Sequence, residues 1–264
     1  MTPIGALHAR HFEGGARRVL ALHCMLAHGE VWRPVAEHLP GVSVTALDFP
    51  SHGASPDWDG NADFHDTCLA SVIPYLDDQP IDIVGHSFGG TIALRLAVEH
   101  PERVRSLTLI EPVYFAVLKQ SVPQILEDHL VAAQPYADAI ASGDYETGVQ
   151  RFTSMWGSGV PWESMTLAAR QYLIDRTHLV PAQYPAIFED RQSVLSLERL
   201  ARVNMSVLLV RGDHSLDITA HINSALAERL PNARQATING AGHMAPITHA
   251  AETAALVADF LEVT

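Results

Sequence analysis

The chain has 264 residues, 47% of them apolar, and a formal net charge of −13. That length can bury one large core or two small ones, and an acidic chain without a Lys/Arg cluster is a poor match for nucleic acid or an anionic membrane surface, which leaves a small molecule among the expected partners. Two cysteines outside any metal-ligand spacing, no apolar run of membrane-spanning length, and a start (Met1-Thr2-Pro3-Ile4-Gly5) unlike a signal peptide lead us to expect a cytoplasmic protein with no metal and no cofactor.

Strand-like and helical runs alternate from the start. Val19-Leu20-Ala21-Leu22 is the first clear buried strand, followed by a helix expected over Trp32 to Leu39. Val42 to Leu47 is the next strand, then a turn-rich loop from Asp48 to Asn61 and a helix over Asp63 to Tyr75. Ile81 to Val84, a helix ended by Pro101, and the strand Leu107 to Ile110 continue the series. The rhythm then stops. From Val113 to about Arg202 only helical patterns occur, over Ala132 to Ser142, Tyr145 to Trp156, Trp162 to Thr177 and Ser193 to Leu200, and Pro135, Pro161, Pro181 and Pro185 are read as breaks. It resumes with Val207 to Val210, the helix Ile218 to Leu230, the strand Arg234 to Ile238 and the helix Ala250 to Leu261. Such alternation predicts an α/β fold: a mostly parallel sheet with helices on both faces, built from residues 1–112 and 203–264. Residues 113–202 are expected to form a helical cap over the carboxyl edge of the strands, where ligands bind in open α/β sheets.

One short segment carries the chemistry. Gly85-His86-Ser87-Phe88-Gly89 fits G-x-S-x-G, with a β-branched strand before it and a helix after it, the context a nucleophile elbow needs. The turn is tight enough to require glycines, and it aims a helix N-terminus at any oxyanion formed beside the serine. Serine needs a base. His243, in the Gly-rich loop Asn239 to Pro246 after the last strand, stands at the same sheet edge. His249 is its nearest rival, and His86 is expected to point away from the catalytic face.

Across nearly its whole length the chain resembles the α/β-hydrolases. The resemblance rests on His23-Cys24-Met25 after the first buried strand with Trp32 beyond, on Asp48-Phe49-Pro50-Ser51-His52-Gly53-Ala54-Ser55, on the elbow, on the helical insertion and on Gly242-His243. It implies an oxyanion hole formed by the backbone N–H groups of Met25 and Phe88. Cys24 stands where the family usually has glycine, and it is not read as a nucleophile, because Ser87 holds the elbow. The family's usual acid position, three residues after Gly212, holds Ser215. The resemblance then points to Glu111, at the end of the neighbouring strand, with Asp217 and Asp213 as alternatives. Asp213 is expected to fix its turn, Asp48 to hold its loop, and Asp66, Asp77 and Asp78 to be solvated.

Serine rather than aspartate at the elbow favours acyl transfer over dehalogenation or epoxide opening. The cap supplies Phe152, Trp156, Trp162, Tyr172, Tyr184 and Phe188, with Trp32, Tyr114 and Phe115 expected near the mouth, which predicts an apolar pocket. Arg151, Arg170, Arg176 and Arg191 are expected in surface pairs rather than at an anion site. The expected activity is hydrolysis of an apolar or aryl ester, thioester or lactone. Carbon–carbon hydrolysis of a ring-cleavage diketone, acyl transfer or perhydrolysis, and a non-catalytic small-molecule receptor remain alternatives. Oligomeric state is not legible.

Overall fold

The computed structural model describes residues 4–76 and 78–264, so Met1, Thr2, Pro3 and Asp77 lie outside the described residues. Seven strands form one sheet: β1 (Ala9–Phe12), β2 (Arg17–Leu22), β3 (Val42–Leu47), β4 (Ile81–His86), β5 (Val104–Ile110), β6 (Ser206–Gly212) and β7 (Ala233–Ile238). Their order is β1-β3-β2-β4-β5-β6-β7. All neighbours are parallel except β1, which pairs antiparallel with β3 at the edge.

The central strands are apolar at every second position toward each face because both faces are covered. Leu20, Leu22, Ile83, Leu107, Val207 and Leu209 enter one core with the helices Phe64–Val72, Phe88–Glu99 and Asp217–Ala227. Val19, Ala21, Val84, Leu208 and Val210 enter the other with Trp32, Val35 and the helix Ala250–Glu262. Local chemistry marks the helix starts: the Asp63 carboxylate accepts the Asp66 N–H, Asp144 accepts from Thr147, and the Thr166 hydroxyl accepts from Ala169.

The helical segment between β5 and β6 differs from expectation in several places, one of them its end, where the expected Ser193-to-Leu200 helix is only Leu197–Leu200. A single helix, Pro123–Ala141, runs through Pro135. Its buried face (Leu126, His129, Ala133, Tyr136, Ala139, Ile140) packs on a neighbouring helix, Tyr145–Trp156, and that burial offsets the about 3 kcal/mol that an interior proline costs. The expected Trp162-to-Thr177 helix divides into a short turn, Trp162–Ser164, and Leu167–Arg176, and the prolines at 181 and 185 sit inside one-turn helices, Leu179–Ala182 and Tyr184–Ile187. On the sheet side, Trp32-to-Leu39 shrinks to one α-turn, Arg33–Ala36, after a 3-10 turn. No helix among the described residues is long and apolar enough to cross a membrane.

Candidate active site

The register of the sheet assembles the site. His86 pairs with Ile110 and Ile110 with Val210, so the next residues of β4 and β5, Ser87 and Glu111, emerge side by side at the carboxyl edge. The ladder continues through both: Ser87 N–H donates to Ile110 C=O (2.9 Å) and Glu111 N–H to Val210 C=O (2.8 Å). Both residues have positive φ, 54° for Ser87 and 45° for Glu111. Such backbone strain costs a non-glycine residue of the order of 1–3 kcal/mol and persists where packing over-determines it. The elbow glycines are that packing. A Cβ on Gly85 would lie 2.4 Å from Gly89 O, and one on Gly89 would lie 2.3 Å from Leu22 O.

Glu111 is fully buried and divides its two oxygens. One, Oε1, accepts the Gly212 N–H (2.8 Å) and the Ser215 hydroxyl. The other, Oε2, lies 2.7 Å from Nδ1 of His243. Burial acts to raise the carboxyl's pKa, but the bonds from His243, Ser215 and Gly212 outweigh it and hold the pKa below the ordinary carboxylate value. Ser215, three residues after Gly212, thus bonds the Glu111 carboxylate. The alternatives lie elsewhere: Asp217 is exposed and pairs with His221 (3.2 Å), while Asp213 accepts the Gly240 N–H (2.6 Å) and fixes that turn. His249 bonds its neighbour Thr248 (2.9 Å).

His86 does not turn away to an idle role. Its Nε2–H donates to the backbone carbonyl of His243 (2.8 Å), and the two rings are 5.0 Å apart. Burial, with His243 close by, depresses its pKa to about 3, so it holds the His243 loop as a neutral donor. Adjacency to Ser87 was its one sequence signal, and chain proximity says nothing of a contact 157 residues away.

Ser87 and His243 line one small cavity of about 100 Å³. Its other walls are Cys24 to Ala27 from the loop after β2, Met244, and Phe152, Thr153, Trp156, Gly157 and Leu173 from the helical segment. Trp156 meets the His243 ring edge-on at 4.7 Å. Of the aromatics expected around the pocket, Phe152 and Trp156 line it. Trp32, Tyr114 and Phe115, expected near the mouth, are instead buried core side chains. Phe188 stacks on Phe115 at 4.6 Å, Tyr184 packs on Phe188, and Trp162 lies under Arg170. The Cys24 thiol borders the cavity, but burial raises its pKa to about 12, which leaves it protonated at neutral pH.

The loop after β2 is held from several sides. Cys24 and Ala27 close a turn (Ala27 N–H to Cys24 C=O, 3.2 Å) in which Leu26 has φ 65°. The His23 imidazole donates through Nδ1 to Cys24 C=O and accepts the Phe49 N–H at Nε2 (2.9 Å). His52 answers from the facing loop, accepting the Leu26 N–H (3.1 Å) and donating to Pro50 C=O. Both rings are buried, and burial holds both pKa values down, that of His52 at about 4. Asp48 holds its loop as expected, accepting the Ala54 N–H, and it also reaches across to the Gly29 N–H and Arg10. Gly53 is forced there, since at φ 55° a Cβ would meet the Asp48 carboxylate at 1.9 Å. Asp66 departs from the expected solvated role: it pairs with the buried guanidinium of Arg95 at 2.6 Å. Among the described residues no group of three or more His, Cys, Asp or Glu is placed to hold a metal ion.

Residues 17–250 match the model of the alpha/beta hydrolase fold family, and the chain belongs to that family. Lipase LipV of Mycobacterium tuberculosis is 32% identical over 158 residues, a match that spans 59% of this chain and only 58% of that protein. A pimeloyl-[acyl-carrier protein] methyl ester esterase of Chromobacterium violaceum is 29% identical over 263 residues, covering 92% of this chain and 94% of its own. Among solved structures, an alpha/beta hydrolase from Sphaerobacter thermophilus superposes with a TM-score of 0.71 over 97% of this chain and 96% of that one at 20% identity, a likeness of fold.

Proposed function

We propose that the chain is a serine hydrolase of small carboxylic esters, with thioesters and lactones within its chemical range. The observation that carries this is the buried carboxylate of Glu111 on Nδ1 of a histidine that shares an apolar cavity with the strained elbow serine. With Nδ1–H donated to Glu111, Nε2 of His243 is left as the base. It takes the proton from Ser87 Oγ as that oxygen attacks the ester carbonyl, then returns it to the departing alcohol. The acyl group is left on Ser87. Water, deprotonated by the same Nε2, then releases the acid and regenerates the serine. The amides of Met25 and Phe88 receive the oxyanion in both halves, and the helix Phe88–Glu99 presents its N-terminus to that charge. Residues 113–202 act as a cap on the core of 1–112 and 203–264.

The cavity bounds the substrate. At about 100 Å³ it is well below the roughly 300–1,000 Å³ of pockets for drug-sized ligands, so a short acyl or alkyl group fits with the cap seated. The relatives' names raise the possibility of an ester borne by an acyl-carrier protein, but the small cavity favours a free ester, and the cap's arginines already bond groups of this chain. Arg151 donates to Pro135 C=O, Arg170 to Glu163 C=O, Arg176 to Tyr172 C=O, and Arg191 pairs with Asp63 and Glu189. A free small ester is the better match. A p-nitrophenyl ester series from acetate to octanoate, with wild type beside Ser87→Ala, tests the reading. Turnover should be best at the short end and vanish in the variant. Equal turnover in both proteins, or none in the wild type, overturns it.

A further inference from the structure

The turn that carries the Met25 amide does not support itself. Its third residue, Leu26, stands at φ 65°, where turns normally place glycine or asparagine. A leucine there is strained, because its Cβ crowds the backbone at positive φ, so the conformation needs outside holds. His52 provides one from the core by taking the Leu26 N–H. The other comes from the cap. Tyr172, on the helix Leu167–Arg176, donates its hydroxyl to Ala27 C=O (2.9 Å) and accepts the Gly53 N–H at the same oxygen (3.0 Å). One phenol thus joins three segments: the cap helix, the turn after β2 and the loop after β3. The ring itself is held, with Arg176 stacked 3.7 Å over it and His28 edge-on at 5.6 Å. The next residue of the same helix, Leu173, lines the cavity opposite Ala27.

We propose that Tyr172 is a positioning residue that ties the seating of the cap helix to the conformation of the Cys24–Ala27 turn, so that the Met25 amide is aimed only when the cap is closed. This rests on the reading of that amide as an oxyanion donor. Substrate that seats the cap helix also completes the oxyanion site, whereas an open cap leaves the turn free to relax toward negative φ at Leu26.

The test is Tyr172→Phe, which keeps the ring and removes only the bridging oxygen. Hydrogen exchange read by mass spectrometry on peptides spanning residues 23–28 follows the turn whether or not the protein turns over an ester. Exchange there should quicken about tenfold, while the Phe88–Glu99 helix is unchanged; unchanged exchange in 23–28 overturns the proposal. With a short p-nitrophenyl ester and active sites counted by a fluorophosphonate, kcat should fall about tenfold with KM within about twofold, since an oxyanion donor acts in the transition state. Leu26→Gly supplies the rescue, because glycine adopts positive φ without strain. In that background, removal of the Tyr172 hydroxyl should lower kcat less than threefold. An equal fall in both backgrounds means general loosening and overturns the coupling. Ser87→Ala runs alongside: if it turns over like wild type, the functional reading fails, while the exchange result still decides the latch.

Discussion

The two sides of the site are held by different means. On one side, Ser87 and Glu111 stand where strand register and glycine packing put them: two consecutive ladder bonds place them, Gly85 and Gly89 leave no room for another arrangement, and His243 is set against Glu111 from the loop that His86 holds. On the other side, the turn bearing Met25 is positioned by side chains: His23 just before it, His52 from the loop after β3 and Tyr172 from the helix Leu167–Arg176. Backbone register tolerates most side-chain changes. A turn held by three side chains can be loosened by one of them, so its adjustability lies where the helix Leu167–Arg176 can act on it.

The hardest break in the comparison falls on the register-held side. Ser87→Ala should lower kcat at least about 10⁴-fold on a short ester, since removing a nucleophile that works as part of a unit costs nearly all of the unit's effect. Next is Glu111→Gln, expected to cost about 10³- to 10⁴-fold in kcat by leaving His243 without a charged partner for its cation. Asp217→Asn and Asp213→Asn should stay within about twofold in kcat. A reversal of that order between Glu111 and Asp217 would remove the acid from the place the geometry assigns it. Ser215→Ala is milder. It deletes one of two bonds to Oε1 and should lower kcat about tenfold, in line with a hydrogen bond to a charged group.

How much of this was legible before the fold was known follows the same division. Ser87 and Glu111 directly follow strands whose β-branched, apolar runs are plain in sequence, and His243 lies in the loop after another, so their nearness at one sheet edge could be read from the strand order. The antiparallel strand β1 could not, because Ala9–Phe12 is a half-exposed edge with no apolar alternation. His86, His52 and Tyr172 were illegible for another reason. Their partners lie 157, 26 and 145 residues away along the chain, and nothing in local pattern marks a side chain that bonds a distant backbone. Tyr172 in particular reads as one more cap aromatic. The continuous Pro123–Ala141 helix was missed because proline propensity is local while the packing that overrides it is not.

Buried histidines on both sides of the site, and beyond it, predict how the protein meets acid. His23, His52, His65, His86 and His129 are all buried with pKa values pushed below 6.5 by burial, His52 and His129 to about 4 and His86 to about 3. Each is neutral in the folded state and takes up a proton near pH 6.5 once unfolded. The unfolded state therefore binds more protons below that pH, and stability falls as pH drops from about 6.5 toward 4. Melting temperature should decline steadily over that window, and His52→Gln should flatten part of the slope. A melting temperature constant between pH 7 and pH 5 would mean that these rings are not held neutral.

A change in selectivity rather than in rate is expected at the border of the two sides. Cys24 lines the cavity beside Ser87, and with its thiol pKa near 12 it offers no thiolate at working pH. Cys24→Ala should therefore keep kcat within about threefold on the best short ester. The change should instead appear in selectivity, because removing a sulfur from the wall of a cavity of about 100 Å³ makes room for a further carbon of the acyl chain. The optimum of the ester series should move one or two methylenes longer, by the 10- to 200-fold that a methylene is worth in a fitted apolar pocket at most. A loss of kcat as deep as that of Ser87→Ala would assign the thiol a chemical part, against its burial and its protonation. A length profile unchanged from wild type would mean that the acyl chain runs along the Phe152 and Trp156 wall instead, and would make the cap, not the turn, the element that measures the substrate.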